Sequence, residues 1–371
     1  EARRRQRRRW LLVAGIVAIV AVVVATVTTA LAGESRSTPL PHPRLPAGRP
    51  APVVSAAGTQ PKAPGSLAVG PGGVLYVADD TRHQILERLP NGRFRIVAGN
   101  GTAGFSGDGG PAVDAEIDDP GGMAVATDGT LYFADVANAR VRAVSSAGII
   151  TTVAGNGRQG WVADGTPAVD ARLLDPTAVT FSPSGQLYIA DGEQVLVLDA
   201  DGTLTSVLGN QSPEGGLVGV GGPATDASAD GAEGLAFDAA GDLFVFGFGT
   251  KSILMVDPRG MLTSPPGGIY PRGYGSLVSA PDGTVLAMGE LSIVRLSATG
   301  EQTLATFTHR LDGADGFLGV RNFSPAGIAT APDGTIYVDT NPDGGFADTS
   351  AIAAIAAIAP SGRPSLLWRG T

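Results

Sequence analysis

Residues 121–157, GGMAVATDGTLYFADVANARVRAVSSAGIITTVAGNG, hold four short apolar runs separated by turn residues. The runs cover 122–126, 130–135, 140–144 and 149–154. Asp128-Gly129 joins the first two, and both residue types tolerate the positive φ of a type I′ hairpin turn. Asn138 and then Ser145-Ser146-Ala147-Gly148 punctuate the next two connections. Leu131-Tyr132-Phe133-Ala134 is apolar throughout, as expected of a strand buried on both faces. The stretch predicts a four-stranded antiparallel meander.

One meander cannot cover both of its own faces, and the chain supplies neighbours. The glycine two residues before the aromatic-containing strand recurs as Gly73, Gly129, Gly185 and Gly241, in steps of 56. Weaker copies follow at Gly283 and Gly334, after 42 and 51 residues. Six copies of four strands predict an all-β fold, a six-bladed β-propeller. Blades are expected at 63–99, around 121–157, and at 177–209, 234–263, 276–308 and 326–371. Connections at 100–120, 156–176 and 211–233 join the first four. In the sixth copy SAIAAIAAIA at 350–359 is assigned to the third strand, and 364–369 to a last strand closing against blade one.

Composition agrees with this reading. Gly 54 and Pro 27 of 371 residues suit a chain that turns every few residues. Hydrophobic residues make up 43%, enough for a core, and the absence of Cys excludes disulfide and thiolate chemistry. Removing the six Arg and one Glu of the first nine residues leaves 34 acidic against 20 basic residues, a net of −14. Such a surface repels phosphate backbones and argues against nucleic acid as a partner.

Residues 1–32 read as a membrane element. Arg3, Arg4, Arg5, Arg7, Arg8 and Arg9 precede an uncharged run over 10–32. At 1.5 Å per residue that run is long enough to cross a hydrocarbon core of about 30 Å. The basic block predicts a cytoplasmic N-terminal side and an extracytoplasmic remainder. Ala30-Leu31-Ala32 also matches an A-x-A signal cleavage site, which would release the remainder as a secreted protein. Residues 33–62, with seven prolines, form a Pro-rich linker. The propeller domain is then 63–371.

Val97-Ala98-Gly99-Asn100-Gly101, Phe105-Ser106-Gly107-Asp108-Gly109-Gly110-Pro111-Ala112, Leu131-Tyr132-Phe133-Ala134-Asp135 and Asn138-Ala139-Arg140-Val141-Arg142 resemble bacterial NHL repeats. That resemblance implies a six-bladed propeller, in agreement with the independent count. Basic segment, single span, linker and propeller together resemble the exported sensor domain of actinobacterial receptor Ser/Thr kinases. Under that resemblance a kinase would lie upstream of Glu1.

Asp79, Asp135 and Asp191 recur at the end of the second strand. They are either a ring of carboxylates on one face or acceptors for backbone N–H groups of the following turn, and recurrence in three blades favours the second. In an up-and-down blade, the blade-to-blade connection and the turn between strands two and three emerge on the same side. Phe105, Asp108, Asn138, Arg140, Trp161, Asp164 and Asp191 are therefore expected around one rim as candidate ligand-binding residues. Trp161 is either an exposed anchor or a plug against a neighbouring blade. The glycines around Asp108 lack the spacing of an EF-hand ligand set.

No catalytic residue, metal site or cofactor is assigned. Peptidyl-hydroxyglycine lyases resemble this fold but use several His ligands, and the folded part has only His83 and His309. His83 is expected at a surface turn. The first functional reading is a membrane-anchored binding or sensor ectodomain for a protein, peptide or cell-wall component. The alternative is a metal-dependent lyase or lactonase of propeller type.

Overall fold

A computed structural model describes residues 60–209, 221–227, 231–247, 249, 252–265, 276–289, 292–297, 300–306, 325–340 and 354–369. The chain divides into two units, Glu1–Leu40 and Pro41–Thr371, and every described residue belongs to the second. The expected span at 10–32 and most of the linker lie outside the described residues. Among the described residues no helix is long and apolar enough to cross a membrane.

Six antiparallel sheets follow one another along the chain, each made from consecutive strands. Blade 1 comprises Pro64–Val69, Leu75–Asp79, Gln84–Arg88 and Phe94–Ala98; blade 2 comprises Pro120–Val125, Leu131–Asp135, Arg140–Val144 and Ile150–Ala154. Blade 3 runs through Pro176–Phe181, Leu187–Asp191, Gln194–Leu198 and Thr203–Leu208, with Thr166–Pro167 added as a fifth strand. Blade 4 has Ala232–Phe237, Leu243–Gly247, Ser252–Val256 and Leu262–Thr263. Blade 5 has Ser276–Ser279, Val285–Met288, Ser292–Ser297 and Gly300–Thr306; blade 6 has Pro325–Thr330, Ile336–Thr340, Ala354–Ile358 and Pro364–Arg369. The first strand of each blade touches the first strand of the next, and that of blade 6 touches that of blade 1. The ring is closed.

The core sits between blades. Six clusters of buried side chains occupy the six interfaces. This is why the second strands read as continuous apolar runs: alternate residues face opposite neighbours, and both faces are buried. Tyr132 meets Phe181 edge-on at 5.3 Å, and Tyr188 meets Phe237 in the same way at 4.8 Å, one 56-residue step later. Closure rests on Leu75, Val77 and Phe94 of blade 1 packing with Ile355, Leu367 and Trp368 of blade 6. The third strand of blade 6 falls at Ala354–Ile358, inside the alanine-isoleucine run, with all five residues buried.

The hairpin turns differ from expectation. Gly129 has φ of 84° but Asp128 does not have positive φ. The Gly129 N–H donates to Ala126 O at 2.9 Å and the Ala126 N–H to Thr130 O at 2.8 Å. The turn is type I closed by a left-handed glycine, not type I′. Asp128 keeps ordinary φ because its carboxylate accepts the Thr130 N–H at 2.9 Å, a local bond that stabilises the turn.

The recurring aspartates also bind elsewhere than expected. Asp79 accepts the N–H groups of Lys62 and Ala63, Asp135 that of Asp118, and Asp191 those of Leu174 and Asp175. Their main-chain donors lie in the segment entering the first strand of the same blade, not in the following turn. Asp339 of blade 6 stands one register position earlier, where blades 1 and 3 have Ala78 and Ala190, and accepts the Gly327 N–H inside the first strand instead. Asp79, Asp135 and Asp191 fix where the chain enters their blades, and their burial is tolerated because both oxygens of each are bonded, whereas Asp339 Oδ2 has no partner among the described residues. His83 is half-buried, not at the open surface: its Nδ1 lies 3.2 Å from Asp118 Oδ1 of the next blade.

Candidate functional site: the rim of blade 2 and the central channel

The connection from blade 1 to blade 2 and the second turn of blade 2 do share one side. The Val136 and Ala137 N–H groups donate to Asp119 O and Asp118 O, and Asn138 Nδ2 donates to Gly104 O at 2.7 Å. Asn138 Nδ2 also reaches Asp135 Oδ1 at 2.8 Å. From this frame Arg140 projects half-buried, donating from Nη1 to Asn138 O at 2.8 Å and from Nη2 to Asn156 O at 3.0 Å. Its guanidinium carbon lies 3.7 Å from the centroid of Phe105.

Beneath this pair is Arg142, fully buried. Nη1 donates to Asp135 Oδ2 at 3.1 Å, and Nη2 donates to Asp108 Oδ1 at 2.9 Å and Ser106 O at 3.0 Å. Asp108 Oδ2 accepts the Thr152 hydroxyl at 2.7 Å. Burial pushes the Asp135 carboxyl up, while the Asp118 N–H, Asn138 and Arg142 draw it back toward ionisation. The outcome is a loop clamped by one fork of charge-assisted bonds. Phe105 sits on top of it at 39% exposure, one of three large apolar side chains exposed among the described residues.

Phe105, Asp108, Asn138 and Arg140 thus come together. Trp161 and Asp164 occupy the same positions one blade along, 56 residues later. Trp161 is half-buried, and the neighbouring Val162 is held by the Gln194 amide through both its N–H and its carbonyl, at 3.1 Å each. Asp164 is exposed and accepts the Ser206 N–H at 2.8 Å. Asp191 is not presented at the rim: it is buried, bonded to the entering chain, and pushed up to about 7 by burial. Arg142 was not expected in the site. Its signal lay in the 56-residue register, which puts Leu86 and Leu196 at the same place in blades 1 and 3.

A second feature is the channel, a cavity of about 460 Å³ lined by the first strands of all six blades. Most of these strands begin with an irregular register, which re-aims the extra side chain. In blades 1 and 2 that position is Gly65 and Gly121; in blade 4 it is Glu233, which lines the cavity. Asp80 lines it as well, its carboxylate lying over Gly65 where a Cβ would clash. Burial, then Asp119, Asp339 and Asp79, push Asp80 up to about 8. Burial and Asp175 raise Glu233. Among the described residues no group of three or more His, Asp or Glu is arranged to hold a metal ion.

The fold is a six-bladed β-propeller, and part of the chain is similar to NHL domains. The sequence profile of the Teneurin NHL domain matches residues 94–161, the stretch containing the clamped loop and all of blade 2. Teneurin-m of Drosophila melanogaster is 32% identical over 157 residues, covering 37% of this chain and 6% of that protein. Human Teneurin-1 is 39% identical over 93 residues, covering 22% of this chain and 3% of that protein. The chain therefore matches only a small part of these relatives' length. A gluconolactonase from Xanthomonas campestris superimposes with a TM-score of 0.52 at 14% identity, over 76% of this chain and 84% of that one. That likeness concerns the fold alone.

Proposed function

We propose that this propeller is an extracytoplasmic binding domain, tethered through residues 10–32, that captures a protein or peptide on the blade 2 rim. The observation that carries it is the exposed Phe105 ring under the Arg140 guanidinium, held on a clamped loop. Aromatic and arginine side chains fixed in advance lose little entropy on binding, which is why they dominate interface energetics. Trp161 extends the same surface by one blade. A cell-wall component is a second ligand class for the same rim. The kinase-sensor reading adds a cytoplasmic output and rests on the order of the segments.

The test is affinity capture from the cell envelope with the full chain in detergent, comparing wild type, Phe105→Ala, Trp161→Ala and a control, Arg259→Ala, on an exposed turn of blade 4. A partner lost with Phe105→Ala and kept with the control supports the rim. Equal capture by all four removes it.

The lyase or lactonase reading is carried by one observation, the two carboxylates of raised pKa on the channel wall. Asp80 and Glu233 would act there as proton carriers. Turnover of a lactone that disappears with Asp80→Asn but not with Phe105→Ala would favour it over the binding domain.

A further inference from the structure

The interface between blades 1 and 2 departs from the interfaces that follow it. On the face that each blade turns to the next, one cross-strand row reads Tyr132, Ala143 and Thr151 in blade 2, and Tyr188, Val197 and Thr205 in blade 3. Blade 4 has Phe244, Met255 and Thr263 there. In blade 1 the row is Tyr76, Glu87 and Arg95. The first strand facing the row ends in Phe181 for blade 2 and Phe237 for blade 3, and each ring meets the tyrosine edge-on. Facing blade 1 it ends in Val125, which packs with Tyr76 against the same apolar cluster. A ring is lost here and an ion pair gained.

At this interface lies a cavity of about 220 Å³. Tyr76, Glu87 and Arg95 form one wall, and Leu131, Val144 and the turn 145–148 of blade 2 form the other. That turn joins strands three and four, so the cavity lies toward the face opposite the Phe105 rim. Arg95 donates from Nε and from Nη2 to a single oxygen, Glu87 Oε2, at 2.9 and 2.5 Å. Arg95 Nη1, Glu87 Oε1 and the Tyr76 hydroxyl have no hydrogen-bond partner among the described residues. Burial and the Glu87 charge push the Tyr76 hydroxyl up, with Arg95 opposing, so it keeps its proton and can donate. Desolvating an ion pair costs energy that the uncharged rows of blades 2, 3 and 4 do not incur. Packing alone does not account for it.

We propose that this cavity binds a neutral aromatic amide, whose ring takes the place that Phe181 and Phe237 fill at the next two interfaces. The amide carbonyl accepts from Arg95 Nη1 and the Tyr76 hydroxyl, and the amide N–H donates to Glu87 Oε1. An apolar cavity of about 150 Å³ admits benzene, so 220 Å³ holds one ring and a polar substituent. The ligand is neutral because Glu87 and Arg95 already cancel, and the net −14 of the domain repels an anion. No residue of the rim takes part, so the proposal does not depend on the rim binding a partner.

The probe is benzamide, titrated into the full chain in detergent and followed by saturation-transfer NMR, with empty micelles subtracted. Saturable binding below about 10 mM is expected of so small a ligand, with benzoate weaker. Val125→Phe restores the ring present at the next two interfaces and should abolish the saturable signal. Tyr76→Phe removes only the hydroxyl and should weaken binding about three- to tenfold. Arg259→Ala should leave it unchanged. Thermal melts show whether each variant is folded, and if Val125→Phe is not, Tyr76→Phe decides alone. N-acetylphenylalaninamide carries the same ring and amide on a peptide frame. Its binding more tightly than benzamide supports the site with a peptide as the source, and more weakly supports it with a free compound. No saturation by benzamide, benzoate binding as tightly, or an affinity unchanged in either folded cavity variant overturns the proposal.

Discussion

Arg142 and Asp135 form an ion pair at 3.1 Å in which both side chains are fully buried. The arginine occupies a position that belongs to leucine in the flanking blades. There Asp79 and Asp191 are held by backbone and hydroxyl donors without a cation. Blade 2 thus carries an extra charge in its core, and the second guanidinium nitrogen uses it to pin the loop that carries Phe105. A packing position has been converted into a support for the rim.

Removing this cation leaves Asp135 buried and draws Asp108 and Ser106 O out of their bonds. Arg142→Ala is expected to cost about 3–5 kcal/mol, the range for breaking a buried pair. Arg142→Lys should recover only part of it, because an ammonium lacks the planar fork that reaches three acceptors. Urea unfolding of both variants checks the order; equal stability of wild type and Arg142→Ala would contradict the role given to the pair.

The buried carboxyls predict a pH profile. Asp80 is pushed from 3.8 to about 8, and Asp191 and Asp339 to about 7. Between the ordinary carboxylate range and these values the folded chain holds protons that the unfolded chain has released. Stability therefore falls as pH rises from about 4 to 8. Asp80→Asn should flatten the upper part of that fall and raise stability at pH 8. Denaturant midpoints at pH 5, 7 and 9 test this, and a midpoint rising with pH would refute the sign.

Gly155 should resist substitution. Its φ is 89°, and a Cβ there would lie 2.4 Å from Ala139 O, a backbone atom that cannot swing aside. Gly155→Ala is expected to destabilise by more than about 1 kcal/mol through left-handed strain and the clash together. Gly165, also at positive φ but in open space, should tolerate Ala better. Thermal melts of the two variants give the comparison.

Deleting blade 6 should unfold the domain cooperatively. Ile328, Ile336 and Val338 pack against blade 5, while Ile355, Leu367 and Trp368 pack against blade 1, so both neighbours lose an interface. The expected product lacking 325–369 is insoluble or melts without a transition. A soluble product that melts sharply would mean that closure contributes little.

The fold was legible because it is written in local chemistry repeated at a fixed step. Glycines at 73, 129, 185 and 241 close turns, and apolar strands of five residues fit interfaces buried on both sides. The clamped loop was half legible: Phe105, Asp108, Asn138 and Arg140 were placed on one rim by topology, and they meet there. Arg142 is not legible, because an arginine inside an alternating strand reads as an outward residue, yet its side chain is fully buried. Glu233 is not legible as a channel residue because a register shift aims it there, and Asp80 is not because it reaches the channel only by passing over Gly65 of another strand. The turn type is not legible because Asp-Gly serves two turns, which differ in the φ of Asp128.

By itself, then, the sequence determined the number of blades, their order and the strand that each apolar run forms, since these follow from periodicity and turn chemistry within some 50 residues. Tertiary structure decided which polar groups are buried, what Asp79, Asp135 and Asp191 hold, and which side chains share the channel. Those outcomes depend on contacts between segments far apart in the chain, where burial raises the energetic stake of every unpaired charge and N–H group.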